Sequence, residues 1–244
     1  MERAVYERMA EIDGAHWWFV ARRRIVNSLL NAHRPTKGRM KILEVGCGTG
    51  SNIAMLQSYG TVDAVEPDDL ARKIASERTG IAVKGGYLPD GVLLTDGYYD
   101  LIVLLDVLEH IPEDQPALEA LRRKLAPGGR LVVTVPAMPW LWSSHDVSHH
   151  HHRRYTAATL RSVFHASGFR LCHQSYFNTL LFPLIAAARF VGKLTGREGG
   201  DDAIPPKGVN KLLATTFGAE SRWVSKHSLP FGVSLVAVAE SAAS

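Results

Sequence analysis

Apolar runs of strand length recur along the chain and are separated by polar and glycine-rich turns. The run at 99–105 is continuously apolar, which is typical of a parallel strand covered on both faces. Helical segments lie between the runs, and this alternation predicts a doubly wound α/β fold with helices on both faces. The sheet is expected to have seven strands, parallel except for an antiparallel last strand. The predicted strands are 42–45, 61–66, a short strand before Gly85, 99–105, the end of 125–136, 169–176 and 232–239.

Two segments extend this plan beyond a minimal sheet. Residues 15–32 predict a helix whose aromatic side chains, Trp17 among them, need a partner surface. That helix either packs on the sheet or caps a ligand cavity. Between the last two strands lie an amphipathic segment at 178–194 and a second helical pattern at 209–226. Long insertions beside a cleft often carry ligand specificity.

The composition of the chain limits its domain count, its cellular compartment and its class of partner. A chain of 244 residues can bury a sizeable core as one domain. Its two cysteines, Cys47 and Cys172, fall in a predicted turn and a predicted strand, which suits free thiols in a reducing cytoplasm. No signal peptide is predicted, and the apolar stretch 180–188 is too short to cross a bilayer. With a formal net charge of +4 and no lysine-rich block, a nucleic-acid partner is disfavoured.

The first predicted strand ends in the most informative motif of the chain, Glu44-Val-Gly46-Cys47-Gly48-Thr-Gly50. Glycines let the backbone turn tightly and approach a ligand at the carboxyl end of a buried strand. The dinucleotide-binding fingerprint has its third glycine three residues after the second, whereas Gly50 follows Gly48 by only two. The Glu44 carboxylate would repel a pyrophosphate and attract a sulfonium or ammonium group.

Two later strands also end in acidic residues. Glu66 closes the second predicted strand about twenty residues after the glycine turn, where nucleotide-binding sheets keep a carboxylate for ribose hydroxyls. The alternative is an exposed acid that begins the next helix. The long apolar run ends in Asp106-Val107-Leu-Glu109-His110. These side chains are expected at the same edge of the sheet as the glycine turn.

These motifs, with the turn and strand at 125–136, occur in the order found in the class I S-adenosylmethionine (SAM) methyltransferases, which the chain resembles. The resemblance implies a Rossmann-like domain that binds SAM, with an N-terminal helix as a lid. It divides the single domain, 1–244, into a lid region (1–38), a nucleotide-binding core (39–177), a helical insert (178–231) and a last strand with its tail (232–244).

The resemblance also implies roles in cofactor binding. Glu44 and Asp106 would hold the amino acid end of SAM, and Glu66 would hold the ribose. Many relatives have an Asp after the third strand, but this chain has Gly85-Gly86-Tyr87, so backbone groups or Tyr87 would contact adenine. The residues expected in the cofactor site are Glu44, Gly46, Cys47, Gly48, Gly50, Glu66, Pro67, Gly86, Tyr87, Asp106, Val107, His110 and Trp17.

A polar stretch at 140–156 follows a central strand, so it can reach the reactive end of the methyl donor. Its letters Trp-Ser-x-His-Asp and His-x-Arg-Arg-Tyr-Thr resemble a bacterial subgroup of these methyltransferases. His145 and His151 can take a proton near neutral pH, and Asp146 can fix a tautomer, so these three are the candidate catalytic residues. The four consecutive histidines at 149–152 lack a fixed ligand geometry, and no metal site is predicted.

The same stretch supplies candidate acceptor-binding residues. Arg153 and Arg154 can hold a carboxylate or phosphate, and Trp142 and Tyr155 complete the expected set. The alternative is that Arg-Arg-Tyr-Thr only begins the helix predicted at 157–166 and contacts nothing but protein.

The segment 178–197 has an apolar stripe with basic residues at its far end. It can roof the acceptor pocket or lie on a membrane surface. The resembled subgroup is suspected of acting near polyisoprenoid or sugar-lipid pathways, which implies a small-molecule or lipid-linked acceptor, methylated at oxygen. A cytoplasmic protein, peripheral to the inner face of the membrane if this segment binds lipid, is therefore expected. Two alternatives stay open: an NAD(P)-dependent oxidoreductase with the same sheet, and a non-catalytic SAM-binding partner protein.

Overall fold

The computed structural model of the protein describes residues 3–91, 94–195 and 203–242, with side chains from Tyr6 onward. Over these residues a six-stranded sheet forms the centre of the fold. The strands are β1 (Met40–Val45), β2 (Gly60–Val65), β3 (Tyr99–Leu105), β4 (Leu125–Pro136), β5 (Phe169–Phe177) and β6 (Ser234–Ser241).

The strand order is β2-β1-β3-β4-β6-β5. Strand β6 runs antiparallel to both neighbours, while β1 to β4 pair in parallel. This confirms the predicted α/β class and the antiparallel last strand.

The predicted strand count was wrong by one. The expected third strand contributes a single parallel bridge, between Val65 and Lys84. The backbone N–H of Glu66 donates to Lys84 O at 3.0 Å and that of Lys84 donates to Ala64 O at 2.9 Å. Glycines at 85 and 86 follow at once, and glycine weakens a strand because it has no side chain to pack. The segment therefore pairs with β2 at one position and does not continue as a strand.

The helices are α1 (Arg3–Ile12), α2 (Trp17–His33), α3 (Ile53–Gln57), α4 (Asp69–Thr79), α5 (Asp114–Lys124), α6 (Ser144–Ser148), α7 (Ala157–Ala166), α8 (Phe182–Thr195), α9 (Lys207–Ala219) and α10 (Ser221–Val224). Short 3-10 helices cover Leu108–His110 and Pro139–Leu141. The helix expected at 15–32 is α2, whereas α1 was not predicted. Tyr6, Met9 and Ile12 lie on one face of α1, three residues apart, and two of them are buried; the charged residues between them hid that face in the sequence.

Both faces of the sheet are covered. Alternate residues of β1 point to opposite sides, so Ile42 belongs to one apolar cluster and Leu43 to the other. On the first side Ile42 packs with Leu29 of α2 and Phe217 of α9, and on the second side Leu43 packs with side chains of α5 and α7. The helical insert is thereby part of the core on the α2 side.

The outer surface of the insert is apolar. Leu180, Leu184, Val191 and Leu194 on or beside α8 are about half exposed or more. Among the described residues no helix combines the length and the apolar character that spanning a bilayer requires. The structure describes nothing of 196–202, so the basic Arg197 at the end of the segment 178–197 lies outside the described residues.

Candidate active site

A cavity of about 720 Å³ lies at the carboxyl ends of the parallel strands. Its floor is the glycine turn after β1, together with the ends of β2 and β3, and helices α1 and α2 cover it. Residues 145–154 and the start of α8 form the opposite wall. This is the edge at which doubly wound sheets bind ligands.

The glycine turn opens into this cavity. Its Gly46 and Cys47 N–H groups donate to Val65 O at 2.8 and 3.2 Å, which fastens the turn to β2. Gly48 has a φ of +54°, and a Cβ at that position would meet nothing within 4 Å. Gly50 faces away from the cavity, because its Cβ position lies 3.2 Å from Ala75 on α4. Gly50 therefore serves strand–helix packing rather than a cofactor contact.

Glu66 lies in the cavity wall, 3% exposed. Its carboxylate accepts the N–H of Gly48 at 2.8 Å, the N–H of Asp68 at 3.1 Å and the hydroxyl of Tyr6 at 3.4 Å. Burial raises the pKa of Glu66, and the two backbone donors oppose that shift. The side chain is thus an acceptor turned inward, not the exposed acid of the alternative interpretation.

Glu44 lies behind the turn, outside the cavity wall. It is fully buried and accepts Nδ2 of Asn52 at 3.0 Å, while its Oε2 has no hydrogen-bond partner in the described part of the chain. Burial raises the pKa of Glu44 to about 7. Since Asn52 does line the cavity, Glu44 can act on a ligand through Asn52.

Asp106 follows β3 with a φ of +59° and pairs with Arg22 of α2. The Arg22 guanidinium also lies 4.8 Å from the centre of the Trp18 ring. The sequence analysis missed Arg22; its signal was an arginine one helical turn after an aromatic residue of the predicted lid. This contact ties the lid helix to the end of a central strand.

Asp13, in the link between α1 and α2, fastens the lid from the other side. It is 1% exposed and binds both terminal nitrogens of Arg78, at 2.6 and 2.8 Å, and the hydroxyl of Thr49 at 3.3 Å.

The cofactor residues expected from the sequence that line the cavity beneath the lid are Gly46, Cys47, Gly48, Glu66, Pro67, Gly86, Tyr87, Asp106, Val107, His110 and Trp17.

Histidines gather at the opposite end of the cavity. His110, His145, His149 and His151 all line it. The rings of His145 and His149 lie 3.9 Å apart, and those of His110 and His151 lie 4.6 Å apart. Burial and the neighbouring imidazoles lower the pKa of His110 to about 3, so that ring is neutral at physiological pH.

Asp146 organises this end from behind. Its fully buried Oδ1 accepts His151 Nδ1 at 2.9 Å and Arg154 Nε at 2.8 Å, and its Oδ2 accepts the N–H of Ser143 at 2.9 Å. These partners hold the pKa of Asp146 below its usual range despite burial. The carboxylate that was expected to fix a histidine tautomer therefore binds His151.

The expected acceptor-binding residues are divided. Arg154 lines the cavity but is committed to Asp146 and, at 3.1 Å, to Ala137 O. Arg153 and Tyr155 instead contact Asp114, each at 2.9 Å, and neither they nor Trp142 line the cavity. The expectation that Trp142, Arg153 and Tyr155 contact the acceptor conflicts with this placement. The contacts of Arg153 and Tyr155 agree with the alternative in which Arg-Arg-Tyr-Thr contacts nothing but protein.

The sequence analysis assigned no role to Glu109. Glu109 lines the cavity and is 0% exposed, and neither oxygen of its carboxylate has a hydrogen-bond partner from another described residue. Burial and the nearby charge of Asp106 raise the pKa of Glu109 well above its usual range. A buried polar group without a partner is costly, so this carboxylate needs a further explanation.

Comparison with known proteins gives one family. A family model described as a methyltransferase domain matches residues 16–174. The chain is 30% identical over 149 residues to a ubiquinone biosynthesis O-methyltransferase of Shewanella sp. (strain ANA-3), which covers 53% of this chain and 59% of that relative. A mitochondrial ubiquinone biosynthesis O-methyltransferase of Schizosaccharomyces pombe is 28% identical over 108 residues, 38% of this chain and 37% of that relative. The chain thus spans less than two thirds of the length of these relatives.

Solved structures share the fold. One chain of the Haloferax volcanii complex that contains the Trm112 methyltransferase activator superposes with a TM-score of 0.64 at 18% identity, covering 99% of this chain and 96% of that one. A phosphoethanolamine N-methyltransferase of Haemonchus contortus, solved with SAM, has a TM-score of 0.57 at 15% identity, covering 88% of this chain and 51% of that one.

Proposed function

The chain belongs to the class I SAM-dependent methyltransferases, and from that premise we propose that it methylates an oxygen atom of a small-molecule or lipid-linked acceptor. The observation that carries the proposal is the group of histidines at the far end of the cavity, backed by the buried Asp146. A hydroxyl group loses a proton when it is methylated, and imidazoles accept protons near neutral pH.

The walls of the cavity fit SAM. Gly48 leaves open space at the glycine turn, and Glu66 offers a carboxylate turned inward beside it, suited to ribose hydroxyls. Asp106, with Asn52 and Glu44 behind it, would hold the amino acid end, and the set Pro67, Gly86 and Tyr87 would border adenine. Val107 and His110 lie farther along the same wall, and Cys47 and Trp17 complete it.

SAM supplies a methyl group on a sulfonium: transfer forms a carbon–oxygen bond and leaves the carbon–sulfur electron pair on sulfur. The chain's own residues must therefore hold the acceptor oxygen, take its proton and exclude water. His145 and His151 are the candidate proton acceptors, and Asp146 orients His151. Helices α1 and α2, tied down through Asp13 and Arg22, would keep water out.

The acceptor side of the cavity is partly apolar. Ile185 of α8 and Val233 line it, with Arg189 beside them. Exposed apolar side chains on α8, and Val209 and Leu212 on α9, suit contact with lipid. The basic residues Lys207 and Lys211 also lie on α9. We therefore propose that the insert, over 178–197, brings the cavity to a lipid-linked acceptor at a membrane surface; Arg197 itself lies outside the described residues.

The test is an unbiased acceptor screen with SAM labelled on its methyl group. Label transferred to hydroxylated acceptors, with a product stable as an ether, supports O-methylation, whereas label on nitrogen or carbon contradicts it. Thermal stabilisation by SAM but not by NAD⁺, with no transfer to any acceptor class, would support a non-catalytic SAM-binding protein instead.

A further inference from the structure

Glu109, His110 and His151 converge at the histidine end of the cavity. One ligand atom from each lies within 4.8 Å of the other two, and all three residues line the cavity. We propose that they bind a divalent zinc-like metal ion that holds the acceptor oxygen; this inference rests on the proposed function and deepens it.

The buried Glu109 carboxylate is the feature that points most strongly to a bound cation. It is fully buried, and neither of its oxygens has a hydrogen-bond partner from another described residue; its own backbone is the one hydrogen-bonding group that acts on it there. Arg22 and Arg154 attract it from a distance, but each is paired elsewhere, with Asp106 and Asp146. Buried charges are normally paired or coordinate metals. A cation between Glu109 and the two imidazoles would provide the missing partner.

The outer contacts of both histidines fit this role. Metal-binding histidines usually donate their second ring nitrogen to a carboxylate or a backbone carbonyl, which fixes the tautomer. His151 Nδ1 binds the Asp146 carboxylate at 2.9 Å, and His110 makes a hydrogen bond to the backbone of His149. Each ring thus has one nitrogen held by protein and a second one for an ion.

The ligand set identifies the class of ion. Two imidazoles and one carboxylate are typical of catalytic zinc sites, which keep an open position for water or substrate, and of other first-row divalent ions. Magnesium and calcium prefer sets made of oxygen atoms. The run 149–152 was not predicted to bind metal; the proposed site takes only His151 from it, and its other ligands come from the 3-10 helix Leu108–His110 that follows β3.

With the ion bound, the two candidate bases, His151 and His145, would have different roles. His151 would be a ligand, and the acceptor hydroxyl would occupy an open position, where a metal lowers the pKa of a bound hydroxyl. The proton would pass from that oxygen to His145, whose ring lies 6.1 Å from that of His151. The resulting alkoxide or phenolate carries the electron pair that forms the new bond to carbon.

The experiment is a titration of tag-free, metal-depleted protein with Co²⁺ and Zn²⁺, followed by calorimetry and by the visible spectrum of cobalt. We expect one equivalent of each ion to bind. Glu109→Gln, His110→Asn and His151→Asn should each weaken binding on the order of 100-fold or more, and Asp146→Asn about 10- to 100-fold. His165→Asn is the matched control, because His165 is an exposed histidine of α7 outside both the cavity and the cluster; the metal affinity of this variant should equal that of the wild type.

Wild-type protein that binds no stoichiometric ion, or ligand variants that bind as tightly as the wild type, would overturn the metal site. If a variant fails to fold, the wild-type enzyme alone tests the metal site. A chelator should abolish its methylation activity and added Zn²⁺ should restore it, while its SAM affinity stays unchanged. Full methylation by metal-free protein would sink the metal site while leaving the methyltransferase function intact. Loss of SAM binding itself would count against the proposed function instead.

Discussion

Asp146 and His151 form a hydrogen bond of 2.9 Å between a fully buried carboxylate and an imidazole in the wall of the cavity. They are five positions apart in the sequence, and the turn after α6 brings them together. The same carboxylate binds Arg154, so it orients a candidate catalytic ring and compensates a buried cation at once. Its removal should affect both stability and chemistry.

Asp146→Asn should lower the free energy of unfolding by about 3–5 kcal/mol, because the buried Arg154 guanidinium would lose its charge partner. Urea denaturation at pH 7 measures this loss. The matched control is Asp96→Asn, which removes an exposed partner of Lys124 and should leave the free energy of unfolding nearly unchanged, because solvent screens an exposed ion pair. Equal effects in the two variants would mean that the Asp146 network contributes little to stability.

Gly48→Val should abolish SAM binding while the protein stays folded. A side chain there would project into the open part of the cavity, and valine also disfavours the positive φ of this position. Calorimetric titration with SAM, supported by circular dichroism of the folded variant, tests this. Gly80→Val, at another positive φ but outside the cavity, serves as a control for backbone strain alone. Wild-type affinity in a folded Gly48→Val protein would exclude this turn as the cofactor site.

Glu66→Ala should weaken SAM and its demethylated product alike, by about 1.5–3 kcal/mol, the range for hydrogen bonds to a charged group. Equal weakening is expected because the ribose does not change in the reaction. Tyr6→Phe removes only the hydroxyl that contacts Glu66, so it should not weaken either ligand. If both ligands bind Glu66→Ala as they bind the wild type, the carboxylate has no part in cofactor binding.

Gly48 and Glu66 line one cavity at the strand ends, as the sequence predicted, because the determinants of both positions are local. A glycine at a positive φ and an acid that closes a strand are recognisable from their neighbours, as at Gly48 and Glu66. The pairing of Arg22 with Asp106 joins residues far apart in the chain, so the position of Arg22 one helical turn after an aromatic residue does not identify its partner. The burial of Glu109 likewise depends on the loop that carries His151. Arg153 and Tyr155 contact Asp114 because the chain places that acid at the start of α5.

Glu44→Gln should change how stability depends on pH. The pKa of Glu44 is raised to about 7 in the folded protein from an ordinary value of 4.5, so between these values the folded state binds more protons than the unfolded state. The free energy of unfolding contributed by this group therefore falls as pH rises from about 4.5 to about 7, on the order of 1–3 kcal/mol. Glutamine, which can still accept from Asn52, should remove that part of the fall.

Urea denaturation of both proteins between pH 5 and 8 measures the difference. Glu119→Gln, an exposed glutamate on α5, should reproduce the wild-type profile. Parallel profiles for the wild type and Glu44→Gln would show that Glu44 stays ionised throughout this range.

His145→Asn should reduce turnover by about 10² to 10⁴ and leave SAM affinity nearly unchanged, because a general base acts on the acceptor and not on the cofactor. The deficit should shrink as pH rises toward the pKa of the acceptor, since an ionised hydroxyl needs no base. Arg153→Ala should leave the acceptor's KM unchanged, as its guanidinium is bound to Asp114 away from the cavity. Rate profiles of the three proteins against pH, with the acceptor found by the screen, provide the measurement. A His145→Asn enzyme as fast as the wild type at every pH would leave proton removal to another group or to an acceptor that is already ionised.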